Sequence, residues 1–157
     1  MSAVLHSRCR LGWYYHQRLA EWGNAAAEGS EEVDRRLSEL DQDLGQIRHV
    51  FDGCRAATDR DDDAAAVCIE LAAAGVEYLD LRLHPGEALA WHQTALACAR
   101  RLGEGVAQAL HSGYVGTAYI RLGEPQHALD YLDQARELLE GEGDPEGDLP
   151  TILLEWG

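Results

Sequence analysis

Residues 33–54, VDRRLSELDQDLGQIRHVFDGC, decide the fold class. Apolar side chains fall at Val33, Leu37, Leu40, Leu44, Ile47, Phe51 and Cys54, with gaps that alternate between four and three. This is the 3.5-residue seam of a helix that buries one edge against a partner. A half-buried strand would instead alternate every second residue. The seam belongs to a helix expected over residues 31–57, with Ser30 as N-cap and acidic residues in the first turn, where they suit the free N–H groups. Ahead of it a helix is expected over residues 3–23, with Leu5, Cys9, Trp13, His16 and Leu19 on its apolar face. Residues 24–30 then read as the turn of a long antiparallel hairpin.

The rest of the chain continues in the same manner. Ala and Leu dominate, β-branched residues are scattered, and the four prolines all lie beyond residue 84. Helices are expected from the acidic run Asp59–Asp63 to Leu83, then over residues 87–102, 106–122 and 125–139. Gly103 and Gly123 act as terminators, and Pro125 suits a first helical turn. The expected architecture is all-α: six or seven helices in antiparallel hairpins within one domain, residues 1–157. Residues 1–58 would form the long hairpin, and residues 143–157 a C-terminal capping segment.

Composition excludes several function classes. With 28 acidic against 13 basic residues the formal net charge is −15, so nucleic acid and anionic membrane surfaces are not expected partners. Every basic residue is Arg and no Lys occurs, which removes phosphate-loop NTPases and Schiff-base enzymes. No stretch approaches the ~20 apolar residues of a membrane span. The N-terminus lacks a signal peptide's apolar run. The four cysteines (Cys9, Cys54, Cys68 and Cys98) show no CxxC spacing and read as small buried apolar residues. A reduced cytoplasmic setting is the expectation.

An internal repeat appears in the second half. Gly75-x-x-Tyr78 corresponds to Gly116-x-x-Tyr119, Ala88 to Ala128, Trp91 to Tyr131 and Ala95 to Ala135. The last three pairs are offset by 40 and the glycines by 41, the signature of stacked helical hairpins. In the second copy, Gly116-x-Ala118-Tyr119-x-x-Leu122-Gly123 followed by Ala128, Leu132 and Ala135 resembles the tetratricopeptide repeat. Gly116 and Ala128 would let two helices approach while Tyr119 and Leu132 fill the space beside them. Ser112, Val115 and Glu140 depart from the family's usual Trp, Leu and Pro. The first copy has one extra residue in its turn and lacks the Leu-Gly pair. The repeats would cover residues 59–103 and 104–142. The leader Leu37–Phe51 preceded by an aromatic helix is also similar to the start of the superhelical sensor region in STAND-class signalling ATPases, without their ATPase module.

The tetratricopeptide resemblance implies a non-catalytic module that binds a protein or peptide along a groove. Carried across residue by residue, that groove would be lined by Leu110, Gly113, Tyr114, Thr117 and Arg121 in the second copy. In the first copy it would be lined by Ile69, Ala72, Ala73, Val76 and Asp80. The family's carboxylate clamp uses Lys and Asn, and this sequence has neither at these positions. Arg121 is the residue expected to hold an acidic group. No cofactor is expected. Two rivals stand beside this reading: a ligand-sensing relative of STAND-class regulators, and a helical-bundle metalloenzyme gathering some of the seven histidines, of which His16 and His92 lie among aromatics.

Three further features have plain structural readings. Asp59-x-Asp61-x-Asp63 with Glu70 at the twelfth position imitates a calcium loop, but Ala64 stands where the sharp turn needs Gly. The acids then read as the N-terminus of a helix. The acidic run from Glu137 to Asp148 reads as a solvated face. The apolar end Leu149–Trp156 would fold back on the last helix or meet a second copy, making a homodimer a possible state.

Overall fold

The computed structural model describes residues 2–29 and 31–142. Seven α-helices and no strand occur among them: α1 Ala3–Glu28, α2 Val33–Arg55, α3 Asp62–Ala74, α4 Val76–Arg82, α5 Pro85–Leu102, α6 Gly105–Arg121 and α7 Pro125–Glu142. The chain divides into two compact units, Met1–Arg82 and Leu83–Gly157. The division falls inside residues 59–103, so α3 and α4 belong to the first unit and α5 to the second.

The first unit is built on the expected seam. Leu40, Ile47, Phe51 and Cys54 of α2 are buried, with Val50 beside them. They pack against α1 and α3, and α1 also packs along α3. Two differences from the sequence reading concern α1. The helix does not end at Gly23 but runs on through Asn24-Ala-Ala-Ala to Glu28, where Gly29 closes it. A run of three alanines has the highest helix propensity of any residue type and overrides the turn signal of Asn24. The buried face is also rotated: Cys9, Gly12, Tyr15, Leu19, Trp22 and Ala25 are inside. Trp13 is 38% exposed, and its indole Nε1 donates to Asp63 Oδ1 at 3.1 Å. Gly12 takes the central place because a Cβ there would overlap Val67. Close approach of α1 and α3, rather than a bulky apolar side chain, sets the register.

The single helix expected after the acidic run Asp59–Asp63 and ending near Leu83 is two helices. Gly75 ends α3, and α4 resumes with Leu79 N donating to Gly75 O at 2.7 Å. Gly lacks a side chain to hold the helix, and a Cβ there would lie 3.1 Å from Leu19 Cδ1 of α1. Polar contacts fasten α4 to α2: Arg82 donates to both Asp41 carboxylate oxygens at 2.7 and 2.8 Å, and the Tyr78 hydroxyl donates to Asp41 Oδ1 at 3.1 Å. Arg18–Glu39 at 2.6 Å and Arg36–Glu21 at 2.9 Å link α1 to α2. The expected N-cap Ser30 lies outside the described residues. Glu32, immediately before α2, makes no side-chain cap.

The second unit is a layered set of three helices. α6 packs against both α5 and α7. Across it, Arg100 of α5 donates to Gln134 of α7 at 3.0 Å. The two connections are short and closed by glycine. Gly103 and Gly123 adopt φ of 73° and 78°, the left-handed conformation that a side chain disfavours. Glu104 N then reaches Ala99 O at 3.0 Å, and Glu124 N reaches Tyr119 O at 2.9 Å, as in a Schellman cap. Gly116 lies where α6 meets α7: a Cβ would sit 2.8 Å from Leu132 Cγ and 3.2 Å from Ala128 O. The expected apolar end Leu149–Trp156, and the acidic run beyond Glu142, lie outside the described residues. No helix among the described residues is long and apolar enough to cross a membrane.

Candidate functional site

The helical register divides the surface of α6 into three stripes. Gly116 faces α7 through Leu132 and Ala128, and His111 faces α5 through His92. At roughly 100° per residue, Val106, Leu110, Tyr114, Thr117 and Arg121 form the third stripe, turned away from the Gly116 edge. Val106 and Arg121 are exposed, Leu110, Tyr114 and Thr117 half-buried, and Gly113 buried beside them. Thr117 Oγ1 donates to Gly113 O at 3.2 Å and so spends its hydrogen on its own helix. The first-copy positions fall differently. Ile69 and Ala72 are buried within α3, Ala73 and Val76 are half-buried around the α3–α4 break, and Asp80 is exposed on α4.

The packing residues are placed as follows. Gly75, Tyr78, Ala88, Ala95, Gly116, Ala128 and Ala135 are buried; Tyr119, Leu122 and Leu132 are half-buried, and Gly123 is exposed in its turn. Tyr119 stacks on Tyr131 at 5.6 Å and on His127 at 5.2 Å between centroids. Gln93 donates to its hydroxyl at 3.3 Å.

Beneath the third stripe lies a buried polar pair that the sequence reading caught only by half. His92 is 2% exposed and His111 is fully buried. Their Nδ1 atoms are 3.3 Å apart, so one neutral ring donates to the other. The Tyr114 ring covers both, at 5.0 Å from His92 and 5.8 Å from His111. Burial drives the His92 ring down to about 3, and the neighbouring His111 adds to the effect. His92 is therefore neutral throughout the physiological range, and its charge is unavailable for proton transfer there. Two ring nitrogens are fewer than the three protein ligands of a catalytic zinc centre. No group of three or more His, Cys, Asp or Glu able to hold a metal occurs among the described residues. His16, the other histidine singled out, lies against Trp13 at 5.6 Å and 3.7 Å from Glu70 at a half-exposed site.

The calcium-like acids start α3. Asp61 caps it by accepting from Ala64 N at 2.8 Å, and Asp63 and Glu70 already lie on the helix. A ligating loop of twelve residues has no room there. The four cysteines are buried and none forms a disulfide among the described residues. Burial pushes the Cys9 thiol up to about 12, with Cys54 and Asp63 as further causes, and burial raises Cys54 too. Such thiols are poor nucleophiles.

His111 carried no signal of its own in the sequence, because its partner lies across a hairpin. Comparison with family models, with curated proteins and with solved structures gives no match.

Proposed function

We propose that the chain is a non-catalytic, tetratricopeptide-like helical module that binds a protein or peptide along the third stripe of α6. The observation that carries this reading is the layering of the second unit. α6 packs between α5 and α7, which leaves Leu110, Thr117 and Arg121 on a stripe turned away from the Gly116 edge, with the Tyr114 ring beside them against His92 of α5. Tyr114 offers an amphipathic ring held by the histidine pair, and Arg121 offers a guanidinium for an acidic group.

Affinity capture with the wild type and a Tyr114→Ala/Arg121→Ala variant tests the reading, with circular dichroism showing that both are folded. The expected result is a stoichiometric partner retained by the wild type and lost by the variant. A partner held equally by both, or none held by either, overturns it.

A further inference from the structure

The first unit contains a cavity whose chemistry is opposite to that of the protein as a whole. It has a volume of about 370 Å³ and lies among the start of α1, the end of α2 and the α2–α3 connection. Arg8 and Arg60 line it, together with Asp61 and Gly53. In a chain with 28 acidic residues, arginines readily meet carboxylates, as Arg18, Arg35, Arg36, Arg55, Arg82 and Arg136 do. Arg8 and Arg60 enter no ion pair among the described residues, and the first turn of α1 contains no acid. Guanidinium groups left unpaired beside a cavity, in so acidic a chain, are positioned for an anion from outside.

The backbone is shaped to hold Arg8 there. A Cβ at position 53 would fall 2.6 Å from Arg8 Nε and 2.9 Å from its Cζ. With Gly at this position the Arg8 side chain lies close against α2, and a larger residue would displace it. A second, shallow depression of about 460 Å³ shares Val4 and Arg8 with it and continues along Leu11 and Val50. Both volumes lie in the range of small-molecule sites. Charge sets the valence of the ligand. Two guanidinium groups face one carboxylate, Asp61, which is fixed as the α3 cap. A monoanion suits such a lining, while a dianion would meet Asp61 as a like charge.

The geometry points to a binding site for a small organic monocarboxylate, its carboxylate gripped by Arg8 and Arg60 and its short aliphatic body lying along Val4, Leu11 and Val50. This site is independent of the α6 stripe and stands or falls separately from it.

Octanoate titrated into the ¹⁵N-labelled full chain is the test, with octanol and inorganic phosphate as parallel probes. The expected result is saturable 1:1 binding of octanoate, with amide shifts confined to residues 4–11 and 50–61. Affinity falls at least tenfold in Arg8→Met and in Gly53→Ala. Arg60→Met, an exposed change that leaves the fold intact, gives a smaller loss in the same direction. Octanol binding as tightly as octanoate overturns the role of charge. Phosphate binding more tightly overturns the monocarboxylate. Unsaturable shifts, or equal affinity in all three variants, overturn the site.

Discussion

Acidifying the protein from pH 8 to pH 5 should destabilise the second unit through His92. The sign follows from the direction of the shift. Burial lowers the folded-state value of His92 to about 3, beneath the ~6.5 of an exposed histidine. The unfolded chain therefore binds a proton that the folded chain refuses. The stability contributed by the neutral ring is whole above ~6.5 and is lost progressively as pH falls from there toward 3. At pH 5 the unfolded histidine is protonated about 1.5 units past its midpoint while the folded ring is still neutral. At ~1.36 kcal/mol per unit this amounts to about 2 kcal/mol. The window avoids the paired carboxylates: Asp41, Glu39 and Glu32 are held low by their arginines, and their contribution disappears only nearer the ~4 of unfolded carboxylates. Urea unfolding at the two pH values, followed through resolved α5 and α6 amide resonances, reads the second unit by itself. A His92→Leu/His111→Leu variant removes donor and acceptor together, leaving no orphaned nitrogen. It should lose about 2 kcal/mol of the pH dependence seen in the wild type. The reasoning is refuted if variant and wild type share the same pH dependence, or if the His92 ring resonances titrate with a midpoint near 6.5.

Other perturbations follow from the packing. Gly116→Ala puts a methyl group 2.8 Å from Leu132 Cγ and should cost about 1–3 kcal/mol in chemical denaturation. The same substitution at Gly45, with nothing within 4 Å, should be neutral or slightly stabilising. Phe51→Ala empties a fully buried site on the α2 seam and should cost about 3–5 kcal/mol. Asp41→Ala takes the acceptor from Tyr78 and Arg82 at once and should cost about 1–3 kcal/mol. Hydrogen exchange should show that loss concentrated in α4.

The helices were legible because their signals are local. The α2 seam repeats every three or four residues, the terminators Gly103 and Gly123 act within one turn, and Gly116 meets Ala128 across a single short connection. The register of α1 was not legible, because its centre is Gly12, a residue with no apolar weight, while the conspicuous Trp13 lies outside. The Gly75 break was hidden by a favourable Ala- and Leu-rich context and is stabilised by Leu19 from another helix. The α6 stripe was readable from the repeat pattern, yet the histidine pair supporting Tyr114 joins residues 19 apart. The Arg8 cavity is least readable of all. Its content is a void and a missing counter-charge, and both depend on where three separate segments come to rest.

The distribution of the buried cysteines gives the protein its own reporter of motion. Cys9, Cys54 and Cys68 belong to the first unit and Cys98 to the second. An alkylating reagent can reach them only when the surrounding helices part. Under limiting alkylation, intact mass would then count openings: a single adduct at Cys98 marks an excursion of the second unit, and a jump to three others marks the first. Breathing of the two halves becomes separable in one spectrum of the native chain, without an introduced residue.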